Sequence, residues 1–263
     1  MRKGLPVTFQ SINMKCIFRF VTMLFLVCIF FSVSTSAQKK ISKYEIGAGL
    51  GAFVYQGDLT PWAMGAVNTM RPGFFIQGTR KFNPNFALRL NLTRASLHGD
   101  DAKYSSPAYR QQRNFNFHSR LTEISPQLMY TPSGWDNDIG KRITPYAFGG
   151  VAITFLKVKR DWSNFNASHF QSTDLLARIA EDMAHRTPRV TAAVPVGAGL
   201  RYAISSNLVL NAELGYRILF TDYLDGFSKA ANPSRKDHYY NIGVGLVYRF
   251  GRKNSWACPP VRQ

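Results

Sequence analysis

The sequence is dominated by short segments in which large apolar residues alternate with small or polar residues. In the segment at 239–250, YYNIGVGLVYRF, almost every second residue is large and apolar, and those between are mostly glycine, asparagine or arginine. Successive side chains of a β-strand point to opposite faces, so this pattern predicts a strand with one apolar face and one polar face. About eight segments show it: 44–54, 72–82, 86–93, 116–130, 143–157, 194–202, 207–220 and 239–250.

The connections between these segments alternate in length. Those at 83–85 and 205–207 are tight turns, and the one at 131–142 is intermediate. The remaining four are long and lie near 56–71, 97–115, 158–188 and 222–238. Short turns on one rim and long loops on the other are typical of antiparallel barrels in bacterial outer membranes.

The face opposite the apolar residues carries glycines and several charges. In a soluble barrel the apolar face would point inward, whereas here charges and glycines suit the crowded interior of an eight-stranded barrel whose apolar face meets lipid. Glu213 and Arg217 share one face of one strand and are expected to pair. The predicted interior polar cluster is Glu45, Arg89, Glu123, Arg201, Glu213, Arg217 and Arg249.

These patterns predict an all-β fold, a monomeric eight-stranded antiparallel transmembrane β-barrel of OmpA or OmpX size without a sizeable pore. Tyrosines and phenylalanines near the strand ends are typical of the aromatic belts at membrane interfaces. A soluble β-sandwich is the alternative. A short helix is predicted in one long loop, where the apolar residues at 172–185 have helical spacing. This helix either folds over its own loop, or it plugs the barrel mouth or docks a partner.

The N-terminal region has the pattern of a secretory signal peptide. Lys15 and Arg19 precede the apolar stretch at 21–33, and small residues lead to a predicted cleavage between Ala37 and Gln38. An uncleaved anchor helix is the alternative, and translation starts at either Met1 or Met14. The expected organisation is a signal peptide at 1–37, a barrel domain at 38–251 and a short tail at 252–263.

The chain is strongly basic, and removing the signal peptide's four basic residues lowers the formal net charge from +18 to +14. For a secreted protein this charge favours anionic lipid headgroups, lipopolysaccharide phosphates or acidic protein surfaces as partners rather than nucleic acid. Of the three cysteines only Cys258 lies beyond the signal, which leaves no internal disulfide. The basic loop residues that could contact lipopolysaccharide are Lys103, Arg110, Arg113, Lys157, Lys159, Arg160, Arg235 and Lys236.

Catalytic and metal-binding patterns are weak. His98 lies near Asp100 and Asp101, and His238 lies beside Asp237 and near Ser234, but loop edges are commonly polar. The segment WDNDIGK at 135–141 resembles the start of a calcium loop yet lacks its third acidic position and distant glutamate. We therefore expect neither an enzyme nor a bound cofactor or metal.

Two motifs resemble a known family. They are Tyr-x-Gly-Asp-Leu at 55–59 and Phe-Thr-Asp-Tyr-Leu-Asp at 220–225, and together with the strands they resemble, over 44–250, the PorG-like outer-membrane barrels of type IX secretion in the Bacteroidota. The acidic motif residues either form a docking or loop-ordering cluster or make local turn hydrogen bonds. The motif positions are Tyr55, Gly57, Asp58, Leu59, Thr221, Asp222, Tyr223, Leu224 and Asp225.

The resemblance implies a non-enzymatic barrel in the cell outer membrane, with both termini in the periplasm. It implies contact with a periplasmic ring of PorK-like lipoprotein and PorN-like proteins, and so a structural role in secretion. Phe250 resembles the terminal aromatic of outer-membrane proteins, although residues 251–263 follow it. The alternatives are a general OmpA- or OmpX-like surface barrel for envelope integrity or adhesion, and a lipid-modifying barrel enzyme that uses His98 or His238.

Overall fold

The computed structural model describes residues 43–60, 65, 67–135, 143–221, 223–231 and 237–250. The predicted signal peptide, its cleavage site and the tail at 252–263 lie outside these residues. The described strands are β1 (Tyr44–Gln56), β2 (Arg71–Lys81), β3 (Phe86–Asp100), β4 (Asn116–Tyr130), β5 (Ile143–Gly150), β6 (Ala152–Asp161), β7 (Val190–Ala203), β8 (Leu208–Leu219) and β9 (His238–Arg249). The α-helices are α1 (Tyr109–Arg113) and α2 (Leu175–Ala184).

Short 3-10 helices occupy Val67–Thr69, Asp101–Lys103 and Ala167–Phe170. Helix α2 lies within the segment at 172–185, where the sequence predicted it. No helix in the described part of the chain combines the length and apolar character needed to cross a membrane.

The strands form one antiparallel sheet that closes on itself. The first strand pairs with the last from Glu45↔Arg249 to Gln56↔His238, and the other strands pair with their neighbours in sequence, except that β5 and β6 do not pair with each other. β5 and β6 both lie between β4 and β7. Because closure leaves no unpaired edge, every strand obtains its hydrogen bonds inside the sheet.

β5 and β6 are two halves of one barrel strand. The pairing register is the same on both sides of Val151, which alone separates them. That register places Pro126 of β4 and Pro195 of β7 on either side of the interruption. Proline has no N–H to donate, so the hydrogen-bond ladder is weakened here from both neighbours. The predicted eight-stranded barrel is therefore confirmed.

The outward face of the barrel is apolar. Leu50, Leu90 and Leu214 are 73%, 55% and 55% exposed, and similar residues follow around the ring. Exposed aromatic residues, including Tyr44, Tyr130, Tyr202, Tyr248 and Phe250, lie at one end of the strands. Apolar side chains outside and polar side chains inside are what a bilayer requires of a transmembrane barrel, so the soluble β-sandwich is excluded.

The two ends of the barrel differ, and we name them by their connections. The turn rim carries the connections at 82–85, 131–142 and 204–207 together with Lys43 and Phe250. The loop rim carries the connections at 57–70, 101–115, 162–189 and 220–237. This alternation of short and long connections is the predicted one.

At the loop rim three strands continue beyond the apolar band. β3 pairs with β4 as far as Asp100↔Asn116, and β6 reaches Asp161, so parts of the predicted loops at 97–115 and 158–188 are strand. The sequence pattern did not show this because the alternation inverts there. From Arg94 onward the outward residues are polar, and the inward ones, such as Leu97, are apolar.

Candidate functional site

The structure places all seven predicted interior residues inside the barrel, each at most 4% exposed. Nearest the turn rim, the carboxylate of Glu45 lies 2.6 Å from Lys81 Nζ, 2.7 Å from Arg201 Nη2 and 3.4 Å from Arg249 Nε. Lys81 was not among the predicted residues, because the alternation in β2 is weak. One buried carboxylate thus holds three cations from three other strands.

Further inside, two more carboxylates are bound across the barrel. Glu213 accepts from Arg89 Nη1 at 2.7 Å and from the Tyr146 hydroxyl at 3.0 Å. Glu123 accepts from the Tyr239 hydroxyl at 2.6 Å and lies 3.4 Å from Arg217 Nε. Amide side chains of neighbouring strands complete this packing, as Gln127 does for Arg89 at 2.8 Å.

The expected pairing of Glu213 with Arg217 is wrong. Glu213 is paired with Arg89 of β3, and Arg217 is paired with Glu123 of β4. Residues four apart on a strand are separated by about 13 Å, since the rise is about 3.3 Å per residue. At a spacing of four residues, sharing a face does not bring Glu213 and Arg217 into contact, and their partners come from across the barrel.

Trp135 closes the barrel at the turn rim. Its side chain is 2% exposed and packs with Ala87, Met129, Tyr146 and Phe148. The guanidinium of Arg201 lies 5.2 Å from its ring centroid, and its backbone N–H donates to the Pro84 carbonyl at 2.6 Å. The rest of the calcium-like segment lies outside the described residues. No local pattern in the sequence indicated this closing role.

The loop rim is closed by an apolar cluster that we call the loop cap. Phe115 stacks on Phe227 with ring centroids 4.4 Å apart, and Tyr55 meets Phe117 edge-on at 4.7 Å. Ile179 of α2 packs into the same cluster, so this helix covers the barrel mouth rather than only its own loop. The expectation of a polar interior is therefore wrong at this end, where β1 and β4 turn aromatic residues inward.

The two family-like motifs meet in the loop cap. The Tyr55 hydroxyl lies 2.7 Å from Asp225 Oδ2 and 2.6 Å from Asp237 Oδ1, and it accepts from the Asp58 N–H at 3.0 Å. Asp225 also accepts from the Phe227 N–H at 2.8 Å. The motif aspartate at 225 therefore makes a local turn bond and also joins the connection between β8 and β9 to the end of β1.

Other motif positions surround this network. Leu59 and Leu224 are fully buried, whereas Thr221 and Tyr223 are half-buried. Gly57 has no room for a side chain, because an added Cβ would overlap the Tyr55 hydroxyl and the Asp237 carboxylate. Asp222 lies outside the described residues.

Helix α2 is fastened to the connection between β8 and β9. The Asp182 carboxylate accepts from the backbone N–H groups of Ser228, Lys229 and Ala230 at 3.2, 3.1 and 2.8 Å. Arg160 donates to the carbonyls of Asp182 and Gly226 at 2.6 and 2.9 Å. The long connections therefore form one packed layer over the loop rim.

The predicted set of lipopolysaccharide-binding basic residues is partly wrong. Arg110 and Arg113 are buried and bind Asp101 at 2.8 and 2.6 Å, and Arg160 is occupied by backbone carbonyls. Lys103, Lys157 and Lys159 are exposed, while Arg235 and Lys236 lie outside the described residues. Sequence could not separate these groups, since an arginine beside a polar loop looks the same whether buried or exposed.

The histidine candidates do not assemble a catalytic array among the described residues. His98 Nδ1–H donates to the Phe117 carbonyl at 2.8 Å, and its Nε2 lies 3.9 Å from Asp100. Asp101 binds arginines instead. His238 Nδ1 accepts from the Leu219 N–H at 3.4 Å, while Asp237 is engaged by Tyr55. Within that part of the chain, no three His, Cys, Asp or Glu side chains converge as metal ligands do.

Comparison with known proteins places the chain in a family. Residues 19–259 match a family described as a domain of unknown function (DUF6089). The chain belongs to the DUF6089 family. No curated protein matches it significantly. The DUF6089 match extends over all nine strands described above.

Several solved structures are similar to this DUF6089 barrel. Neisserial surface protein A (NspA) has 13% sequence identity and a TM-score of 0.48, and the match covers 81% of this chain and 100% of NspA. Ail, the attachment invasion locus protein of Yersinia pestis, has 12% identity and a TM-score of 0.44, with 80% and 100% covered. A major outer membrane protein from Thermus thermophilus has 12% identity and a TM-score of 0.43, with 79% and 99% covered.

Replacing Tyr55→Phe is expected to loosen the loop cap of the DUF6089 barrel. The change removes the hydroxyl shared by Asp58, Asp225 and Asp237, and loss of buried hydrogen bonds of this kind costs about 1–3 kcal/mol. Guanidinium unfolding in lipid vesicles and proteolysis at 223–231 measure the effect. Tyr109→Phe, at a residue 43% exposed, is the control, and equal changes in both variants would contradict the assigned role.

Acidification is expected to destabilise the loop rim through His98 and His118, which lie beyond the apolar band. Burial lowers the pKa of both imidazoles below the usual 6.5, and positively charged neighbours lower it further. For His98 the positive neighbours are Arg71 and Lys103, while Asp100 and the Phe117 carbonyl act in the opposite direction. For His118 the positive neighbours are Arg120, Arg71 and Lys159. The unfolded chain takes up protons first, so stability falls as pH drops below about 6.5.

The denaturant midpoint should therefore drop between pH 7.5 and 5, and the drop should shrink in the double variant His98→Asn with His118→Asn. His169→Asn, at an exposed histidine in the connection between β6 and β7, is the control. An unchanged pH dependence in the double variant would exclude these two groups as its source.

Proposed function

We propose that this chain is a non-enzymatic barrel of the bacterial outer membrane that serves as a structural component of type IX secretion. In this proposal its turn rim contacts a periplasmic ring of PorK-like and PorN-like proteins. The observation that carries the structural role is that the barrel is filled from end to end. Trp135, the ion pairs and the loop cap follow one another along the interior. A barrel whose described interior is filled in this way acts through its surfaces.

The outer-membrane location is supported by the apolar outward band and by the signal-like N-terminus. Strands cross an outer membrane as closed barrels, because no backbone group can be left unpaired in hydrocarbon. With both ends of the barrel domain at the turn rim, the short connections face the periplasm and the loop cap faces outward. This orientation is the usual one for such barrels.

The secretion role is supported by the motif resemblance. Tyr55 and Asp225, which belong to the two separate motifs, share one hydrogen-bonded network in the loop cap. The motifs therefore describe how this cap is built, and the contact with a ring would fall to the opposite rim. There Asn83, Pro84 and Ser205 are exposed.

Site-specific photo-crosslinking in cells tests the proposal. A photoreactive residue at Asn83 or Ser205 should capture PorK-like or PorN-like proteins. The same residue at Ser172, an exposed position at the loop rim, should not. If the ring proteins are expressed but neither turn-rim position captures them, the secretion role fails and a general surface barrel for envelope integrity or adhesion becomes the better account.

Orientation has its own test. Ser172→Cys and Ser205→Cys, each in a Cys258→Ser background, are treated in intact cells with a membrane-impermeant maleimide. Labelling at position 172 but not at 205 is expected. The reverse pattern would place the loop cap in the periplasm and would overturn the proposed use of the turn rim.

A further inference from the structure

A group of exposed cations lies on the outward face of three neighbouring strands, just beyond the apolar band. We call Arg94 of β3, Arg120 of β4, and Lys157 and Lys159 of β6 the basic ladder. The pairing register places Arg120 directly opposite Lys157, and Lys159 opposite His118. Arg94 lies opposite Thr122 in the adjoining row. All four cations are exposed and point to the lipid side.

The basic ladder is unfavourable for the isolated barrel. Like charges directly opposite each other on adjacent strands are destabilising. No hydrogen bond or salt bridge joins these four side chains to another residue that the structure describes. The acidic residues on the same outward face are Asp100 and Asp161. They lie at the loop-rim ends of β3 and β6, one row beyond His98 and His118. An external anion would remove this repulsion.

The position of the basic ladder indicates where that anion lies. On the same three strands, the apolar band contains a row of paired residues made up of Leu92, Ile124 and Ile153. The next row toward the loop rim contains Arg94, Thr122 and Phe155. Rows are about 7 Å apart, since alternate residues of a strand face the same way. The cations therefore stand within the headgroup layer when the apolar band fills the hydrocarbon.

The basic ladder occupies one side of the barrel and is not a general property of the loop rim. In the pairing row that crosses the corresponding ends of β8, β9 and β1, the residues are Ile218, His238 and Gln56, and none of them is a lysine or an arginine. Arg71 and Lys103 add further positive charge next to His98, on the side of the barrel that carries the ladder. A one-sided patch with two guanidinium groups suits a discrete ligand better than a uniform interfacial belt.

We propose that the basic ladder binds the phosphate of an anionic lipid in the membrane leaflet next to the loop rim. One guanidinium group can bind two phosphate oxygens at once, and each lysine ammonium adds a positive charge. The lipid chains would lie along Leu92, Ile124 and Ile153. This site is independent of the secretion role and requires only that the barrel sits in a bilayer.

The test uses the mature chain in nanodiscs that contain equal amounts of phosphatidic acid and phosphatidylcholine with the same acyl chains. Native mass spectrometry after release from the nanodiscs measures which lipid stays bound. The wild type should retain phosphatidic acid. In Arg120→Gln with Lys157→Gln this retention should be roughly 30-fold weaker, because each basic side chain near an anionic membrane surface contributes about a factor of five to binding.

Two comparison variants make the result specific. Arg178→Gln with Arg186→Gln removes two exposed charges from the connection between β6 and β7 and should retain phosphatidic acid like the wild type. Lys157→Arg keeps the charge and should also retain it. The double variant of the basic ladder should fold at least as well as the wild type, which heat-modifiable migration on a gel will show, since it relieves repulsion.

Several results would overturn the proposal. Unchanged retention in the ladder variant, or equal loss in both double variants, would mean that no lipid site exists there. If a soluble polyphosphate bound the wild type in pure phosphatidylcholine nanodiscs through Arg120 and Lys157, while phosphatidic acid was not retained, the ligand would be a soluble polyanion instead of a lipid.

Discussion

Glu45→Gln is expected to lower the free energy of unfolding by about 3–5 kcal/mol, the usual cost of removing one partner from a buried ion pair. The Glu45 carboxylate is the one that lies next to Lys81, Arg201 and Arg249, at 2.6, 2.7 and 3.4 Å. Glutamine keeps the shape but leaves these buried cations without a negative charge. Guanidinium unfolding in lipid vesicles, followed by tryptophan fluorescence, measures the loss.

Two further variants separate the ion pair from other effects. Glu181→Gln alters an exposed carboxylate of α2 and should change stability by less than about 0.5 kcal/mol. Glu45→Gln combined with Lys81→Gln should recover part of the loss, because one of the uncompensated cations is then gone. If Glu45→Gln behaved like Glu181→Gln, the interior carboxylate would not be balancing the cations around it.

Gly49→Ala is expected to block correct barrel closure or to destabilise the barrel by about 3 kcal/mol, at the upper end for overpacked sites. Gly49 lies opposite Gly245, where β1 meets β9. An added Cβ would lie 2.7 Å from the Gly245 Cα, and the Phe75 ring and the Val244 carbonyl oxygen would be nearer still. Backbone atoms cannot rotate away, so the closing seam itself would have to shift.

Gly78→Ala is the matched control on the neighbouring strand. An added Cβ there has nothing within 4 Å, because Gly78 faces outward. It should leave the barrel unchanged or stabilise it by about 0.4–1 kcal/mol through the unfolded chain. The fraction of heat-modifiable barrel on a gel and the unfolding midpoint report both variants. Normal folding of Gly49→Ala would show that the seam has more space than its geometry allows.

The strands and their order could be predicted from sequence because one physical signal, the alternation of apolar and polar residues, determines both the element and its face. The same alternation gives a wrong prediction where the outward face of a strand no longer meets hydrocarbon. Beyond Arg94 the outward face leaves the hydrocarbon and becomes polar, so the alternation of apolar and polar residues predicts a loop where β3 continues. The interruption at Val151 left no mark in the alternation, because the register continues across it.

The interior residues could be predicted as a set but not as partners. Which strands face each other across a barrel depends on its tilt and closure, and nothing local in the chain reports this. Arg89 therefore finds Glu213 without any sequence cue. Trp135 and the Asp182 carboxylate were missed for a related reason, since each acts through a contact with a distant connection.

The cross-barrel ion pairs also limit how the chain can enter a membrane. Glu45 and Arg201 are 156 residues apart, Arg89 and Glu213 are 124 apart, and Glu123 and Arg217 are 94 apart. A hairpin of β3 and β4 inserted alone would carry Arg89 and Glu123 into hydrocarbon without their oppositely charged partners, Glu213 and Arg217. Stepwise insertion is therefore unfavourable at the stage of this hairpin. Assembly is expected to be concerted, with the strands crossing the bilayer as the ring closes and a single kinetic phase for both events.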